Sequence, residues 1–277
     1  MKLTVVVPIY KNNDVQQLRV SLDSLLRQTL LPNEILVVAD GPVSADLERE
    51  VERLKVKVQS SKLPIEVNYQ KFEQNEGLGE AMRKAVLVAK GDYIARMDAD
   101  DICLPNRFEK QMKCFEKDGK LSVVGGQIAE FDGDVTNVTG RRVVPLEHGE
   151  IVSYMKSRNG MNHVTTILKK KDLIDSGNYQ SFFLLEDYYL WVRMIQCGCR
   201  FKNISEDVVL VRAGKEQMDR RGGIEYFKRQ CEVFKYMLKT DFISLPHFLA
   251  SIIERGIVHV LLPVSMRSLF YSVFLRK

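Results

Sequence analysis

Apolar residues recur along this chain in two rhythms that take turns. Leu3 to Ile9 is an apolar, β-branched run broken by Thr4 and Pro8 and followed by the polar turn Lys11-Asn12-Asn13-Asp14. Such a run predicts a strand buried on both faces. Val15, Leu18, Leu22, Leu25 and Leu26 then keep one face at helical spacing, predicting a helix from Asp14 to about Gln28 that Leu31-Pro32-Asn33 ends. The pattern repeats: a strand over Glu34 to Ala39, a helix marked by Leu47, Val51, Leu54 and Val58, and a strand over Ile65 to Gln70. Asn75-Glu76-Gly77 opens a third helix carrying Ala81, Ala85, Val86 and Ala89, with Gly91 at its C-cap, and Asp92 to Met97 is a fourth strand.

Strands alternating with helices at this spacing predict an α/β fold: a mostly parallel sheet flanked by helices, Rossmann-like, with ligands outside the carboxyl ends of the strands. Tyr10, Asp40, Asn75 with Gly77, and the acids after Met97 each fall just past a predicted strand, so four polar segments are expected on one sheet edge. No G-x-G-x-x-G follows the first strand and no G-x-x-x-x-G-K-[ST] occurs, which argues against a dinucleotide site and a P-loop.

Past Pro105 the pattern becomes α+β. Phe108, Met112 and Phe115 predict a short helix, Leu121 to Phe131 a strand, and Asp132-Gly133-Asp134 a hairpin turn into a polar strand up to Val144. Asn162 to Leu168 reads as another strand, followed by a helix ending at Ser176-Gly177; Glu186-Asp187 then opens a helix with Leu190, Val192 and Met194 apolar. Ile224 to Leu238 is helical in pattern. From Phe242 to Lys277 large apolar residues abound, but Glu254-Arg255 and Pro263 keep every run short of the ~20 apolar residues a membrane span needs. The expected division is residues 1–101 and 102–240 as two halves of one domain, and 241–277 as an amphipathic helical tail.

With 277 residues, 45% hydrophobic and 28% charged, the composition is that of an ordinary globular chain. The net charge of +5 is uneven: residues 1–214 carry 30 basic and 30 acidic side chains, residues 215–277 carry 11 and 6. The basic surplus sits at one end, which fits an anionic lipid surface better than nucleic acid. Met266, Leu269, Phe270, Val273 and Phe274, with Arg267, Arg276 and Lys277 alongside, have the spacing of a helix lying on an anionic leaflet; packing on the catalytic domain or on a second subunit, as in a homodimer, is the alternative. Cys103, Cys114, Cys197, Cys199 and Cys231 lack C-x-x-C spacing and read as reduced thiols. The amino-terminal run is too short for a signal peptide, so a cytoplasmic catalytic part is expected, peripheral to the inner face of the plasma membrane.

The chemistry is concentrated in Asp98-Ala99-Asp100-Asp101, three carboxylates at the end of a strand, where core packing asks for none. Hard divalent cations are held by one or two carboxylates plus phosphate oxygens, so a D-x-D here suits a metal-bound diphosphate. A solvated acidic turn that caps the next helix, with Asp101 in the N-cap region shortly before Pro105, is the plainer reading.

Together Val5-Val6-Val7-Pro8-Ile9-Tyr10, Val37-Val38-Ala39-Asp40-Gly41, Asn75-Glu76-Gly77-Leu78-Gly79, Ala95-Arg96-Met97-Asp98-Ala99-Asp100-Asp101, Glu186-Asp187 with Trp191, and Asp219-Arg220-Arg221-Gly222-Gly223 carry a resemblance. The chain resembles family 2 glycosyltransferases with the A-type glycosyltransferase fold, of the kind that builds bacterial capsule or O-antigen repeats. The resemblance implies an inverting hexose transfer from a UDP-sugar, such as UDP-glucose or UDP-galactose, to a saccharide on a polyprenyl diphosphate. It implies that Pro8, Tyr10 and Asp40 line the nucleoside pocket. This chain has Ala39-Asp40 where the family usually has two acids, so the contact to the base rests on Asp40. Asn75 and Gly77 would shape the floor near ribose and sugar, Arg96 and Asp98 would contact the nucleotide-sugar, and Asp100 would ligate Mn²⁺ or Mg²⁺. Asp187 would be the base and Glu186 a hydrogen-bonding partner of a sugar; the plainer reading is negative charge at a helix N-terminus, worth roughly 0.3–1 kcal/mol. His163 and Trp191 would line the acceptor site, against a buried histidine and a core aromatic. Arg220 and Arg221 would clamp the diphosphate from a mobile lid, against an exposed basic turn. The competing classes are a sugar nucleotidyltransferase, whose Gly-rich basic loop after the first strand is absent, and an inactive nucleotide-sugar-binding subunit, against which the intact acids argue.

Overall fold

The computed structural model describes residues 1–182, 184–213 and 223–261. Four strands open the chain, β1 (Leu3–Ile9), β2 (Glu34–Ala39), β3 (Glu66–Lys71) and β4 (Tyr93–Arg96), and all pair in parallel. Among the described residues five more complete a nine-stranded sheet: β5 (Ile102–Cys103), β6 (Leu121–Phe131), β7 (Val138–Arg142), β8 (Ile167–Lys169) and β9 (Arg200–Arg212). The order is β3-β2-β1-β4-β8-β6-β9-β5, with β7 on β6. β8 joins β4 and β6 antiparallel, β5 joins β9 antiparallel, and β6 runs parallel to β9. The sheet is therefore mixed: its first four strands are all parallel, and its second half combines the parallel β6–β9 pair with antiparallel neighbours.

Side-chain alternation along the strands builds a core on each face. Val5 and Val7 of β1 and Ile35 and Val37 of β2 pack with Leu18, Leu22, Leu47, Val51, Phe108 and Met112. Those residues come from α1 (Val15–Leu25), α2 (Ala45–Ser60) and α4 (Arg107–Lys117). Val6, Leu36 and Val38 point the other way, to Ala81, Met82 and Ala85 of α3 (Leu78–Val88), Leu190 and Trp191 of α7 (Glu186–Gln196), and Phe234 of α8 (Gly223–Lys239). Short helices α5 (His148–Met155) and α6 (Lys170–Asp175) fill the second half. α9 (Leu245–Gly256) and a π-helical turn at Ile257–Leu261 follow α8.

Several expectations shift. Residues 162–168 do not form one strand: His163–Thr165 is a 3-10 turn and only Ile167–Lys169 is extended. Gly91 is not the cap of α3, which ends at Val88 with Ala89 as its C-cap. Asp101 does not cap the helix after Pro105; Asn106 occupies the N-cap of α4. Arg220, Arg221 and the proposed tail residues from Met266 onward lie outside the described residues. No helix among the described residues is long and apolar enough to cross a membrane.

Candidate active site

Because β1, β2, β3 and β4 are parallel, their carboxyl ends open on one edge of the sheet. Asp40 lies one residue past β2 and is buried. Its carboxylate oxygens accept from the N–H groups of Glu76, at 2.8 Å, and Gly77, at 3.0 Å, while Asn75 Nδ2 donates to its carbonyl at 3.1 Å. Asp40 thus clasps the loop that enters α3. Gly41 permits the approach, since a Cβ there would stand 2.6 Å from Asn75 N, and its φ of +88° suits glycine. Gly77 caps α3 with φ +89°, a conformation that costs other residues. At the end of β1, Pro8 is half-buried and Tyr10 exposed, and Tyr10 N–H donates to Asn13 Oδ1 at 2.7 Å.

The acid corner follows β4. Asp98 is half-buried, and its carbonyl accepts from Ser21 Oγ of α1 at 2.8 Å. Its carboxylate pairs with the buried Arg96. Burial works against the Arg96 charge, but Asp98, with Tyr179 and Glu186 beyond it, outweighs burial and holds its pKa above the ordinary value. Arg96 Nη1 donates to His163 Nδ1 at 2.5 Å, and His163 Nε2 lies 2.8 Å from Tyr179 Oη. Burial, reinforced by Arg96, pushes His163 well below its ordinary pKa, so the ring is neutral at physiological pH. With Nδ1 accepting, Nε2 carries the proton and donates to Tyr179. Arg96 Nε is buried with no hydrogen-bond partner among the described residues.

Asp101 turns away from the open edge. It is buried, and its Oδ1 accepts from Arg212 N–H of β9 at 2.9 Å. Burial, then the like charges of Asp98 and Asp100, push its carboxyl well above the ordinary range. Beneath the corner, the fully buried Arg107 donates to Arg96 O at 2.8 Å.

The pair opening α7 reaches the same place from the other half of the chain. Leu184, at φ +65°, sits in a region that residues with a Cβ rarely adopt, and the chain turns there into Glu186 and Asp187. The first turn of α3 packs on this turn at Gly79, whose Cβ position lies 3.4 Å from Glu186 Cβ. Glu186 is 8% exposed, and burial, then the Asp187 charge, push its carboxyl up to about 7; Arg96 pulls it back and Asp98 adds to the rise. Asp187 is half-buried, and its Oδ2 accepts from Asn159 Nδ2 at 2.7 Å. Asn159 is held in turn: Arg142 Nη2 donates to its carbonyl at 2.7 Å and its Oδ1 accepts from Met161 N–H at 3.0 Å.

Arg96, Asp98, His163, Glu186 and Asp187 therefore belong to one electrostatic cluster, which Tyr179 completes. Trp191 does not offer a sugar-stacking face: it is fully buried, edge-on to His163 and Phe201. His163 serves as the partner of Arg96 and Tyr179. Sequence reasoning missed Tyr179, Asn159 and Arg107. Only Arg107 had a local signal, being four residues before Gln111 on a helix of otherwise apolar buried positions.

The donor set at the corner suits a hard divalent cation. Carboxylate oxygens of Asp98 and Asp100 are the right ligands, and the mutual repulsion felt at Asp101 is what a cation would relieve. No group of three or more metal-binding side chains occurs among the described residues, so the remaining ligands would have to come from water or a phosphate-bearing substrate.

The family model of glycosyl transferase family 2 matches residues 4–190. A glycosyltransferase of Haemophilus influenzae described as uncharacterized is 35% identical over all of both chains. The amylovoran biosynthesis glycosyltransferase AmsE of Erwinia amylovora is 32% identical, covering 97% of each chain. The Escherichia coli UDP-Gal:alpha-D-GlcNAc-diphosphoundecaprenol beta-1,3-galactosyltransferase is 29% identical over 100% of this chain and 97% of its own. In fold, the chain is similar to S. aureus TarS 1-349 in complex with UDP (TM-score 0.65, 18% identity, 99% of this chain and 75% of that one). It is also similar to a mannosyltransferase of Pyrobaculum calidifontis in complex with GDP-Man and Mn²⁺ (TM-score 0.64, 15% identity, 93% and 70%).

Proposed function

The chain belongs to glycosyl transferase family 2, and from that premise we propose that it moves a hexose from a UDP-sugar, with inversion, to a saccharide carried on a polyprenyl diphosphate at the inner face of the plasma membrane. One observation carries this reading: the acid-bearing end of β4 and the Glu186-Asp187 turn, far apart in sequence, share one electrostatic cluster around Arg96. The donor chemistry draws support from the E. coli relative, whose name specifies UDP-Gal and a lipid diphosphate acceptor.

In this mechanism the nucleotide-sugar lies across the ends of β1, β2 and β4. Pro8 and Tyr10 border the nucleoside. Asp40 contributes by shaping the pocket wall, since both its oxygens hold the α3 loop. Arg96 acts here through its ion pair with Asp98, holding that carboxylate at the donor-sugar side of the site. A divalent cation, Mn²⁺ or Mg²⁺, held by Asp100 with Asp98 would supply the positive charge that stabilises the departing diphosphate. Asp187 Oδ removes the proton of the acceptor hydroxyl as its oxygen bonds to the anomeric carbon, and the bond from that carbon to the diphosphate oxygen breaks with both electrons leaving on UDP. Asn159 orients Asp187 for this transfer. Glu186, with its raised pKa, holds a proton in a large fraction of molecules near neutral pH and so donates a hydrogen bond to a sugar hydroxyl.

The test is a panel of nucleotide-sugars incubated with the protein, Mn²⁺ and a synthetic lipid-diphosphate sugar. Transfer from a UDP-hexose alone is the expected result. Turnover of a different nucleotide class would overturn the donor assignment, and donor binding without turnover of any sugar would favour an inactive binding subunit.

A further inference from the structure

We propose that the exposed apolar stripe of α9 is a docking surface for anionic phospholipid and that it holds the acceptor side of the site against the membrane. Leu245, Leu249 and Ile253 recur every four residues along α9, and Ile257 and Val260 extend the row into the π turn; all five are between 43% and 64% exposed. At about 100° per residue the α9 members lie within an arc of roughly 80°, and that arc contains no charged side chain. A solvated helix face does not select five large apolar residues in register.

The opposite face of α9 fastens it to the catalytic half. Arg255 is buried over the Phe234 ring at 4.0 Å, donates to Gln230 Oε1 at 2.6 Å, and also donates to Ser157 O. His247 Nε2 meets Lys156 O at 2.9 Å, and Arg158 lies 3.7 Å from Glu254. The segment gripped in this way, 156–158, runs directly into Asn159, the residue that holds Asp187. A surface bound to the stripe is thus coupled by a few rigid contacts to the proposed base. An open groove of about 790 Å³ lined by Tyr154, Ser157 and Arg158, among others, borders the same segment.

Charge decides the occupant. Residues 262–277, which continue from the stripe, carry Arg267, Arg276 and Lys277 and no acid. Cations that follow an apolar stripe in the sequence match an anionic leaflet, whereas a neutral intramolecular cover or a second copy with the same charge gains nothing from them.

The proposal deepens the acceptor reading above, and its test involves no turnover, so the two fail separately. Full-length protein is floated with vesicles of phosphatidylethanolamine containing phosphatidylglycerol, and with vesicles of phosphatidylcholine alone. Wild type should float with the first and much less with the second. The triple variant L249E/I253E/I257E alters only exposed positions and should lose flotation roughly tenfold or more, with an unchanged circular dichroism spectrum and unchanged mass in solution. L249Q/I253Q, which adds no charge, should lose part of it. Equal flotation of wild type and variants, no flotation of wild type, or a smaller oligomer for the triple variant would each overturn the proposal, the last by assigning the stripe to a second copy.

Discussion

Glu186 is expected to cost stability. Its carboxyl ordinarily titrates at 4.5 and in the fold is pushed up to about 7, by burial first and the Asp187 charge second. Between those values the unfolded chain releases the proton while the folded protein keeps it, so stability falls as pH rises from about 4.5 and levels off above about 7. At ~1.4 kcal/mol for each pH unit separating the two values, ionising Glu186 in place costs roughly 3 kcal/mol. Glu186→Gln keeps the shape and removes the charge. At pH 8 the variant should be more stable than wild type by up to about 3 kcal/mol, and the gain should vanish near pH 4.5. Asp101, also raised by burial, tilts stability the same way in both proteins and cancels from the difference. Urea unfolding of both proteins at several pH values, analysed at matched m, gives the comparison. A variant no more stable than wild type at pH 8, or a gain that persists unchanged at pH 4.5, would refute the reasoning. The same substitution should slow transfer, because a group that costs stability is kept for what it does to substrate.

Asn159→Ala should lower kcat roughly ten- to hundredfold with little change in KM for the donor, since it frees Asp187 without touching the donor side; a purely structural role would instead lower thermal stability with kcat intact. Asp100→Asn, or EDTA with wild type, should weaken donor binding by at least about tenfold in calorimetry, restored in wild type by Mn²⁺. Gly41→Ala places a Cβ 2.6 Å from Asn75 N at a positive φ and should destabilise the fold by about 2 kcal/mol, measured by denaturant midpoint.

The first half of the fold was legible because its signals are local. β1 and β2 are buried on both faces and so read as largely apolar runs, and α1 and α2 each show one apolar face. The parallel order then placed Tyr10, Asp40, Asn75 and Asp98 on one edge without further information. The second half hid its elements. β5 has two residues and β8 three, too few to show a period. β9 carries no clear strand signal because Lys202, Glu206 and Asp207 interrupt its apolar alternation, the last two where the pairing with β6 shifts register. α5 did carry a signal, the Glu147 and Glu150 capping box ahead of Ile151 and Met155. Within the site, the meeting of Glu186 with the β4 corner rested on resemblance, because no periodicity links positions so far apart. Asn159 sits in an irregular segment with no motif, and Trp191, expected at the acceptor site, is a core residue.

The assignment of Asp187 as the base is tested most directly by Asp187→Asn, measured in single-turnover transfer and in equilibrium donor binding side by side. A general base contributes roughly 10²–10⁴-fold, so transfer should fall by at least about a hundredfold while donor affinity stays at the wild-type value. Transfer at the wild-type rate by the Asn variant would contradict the assignment.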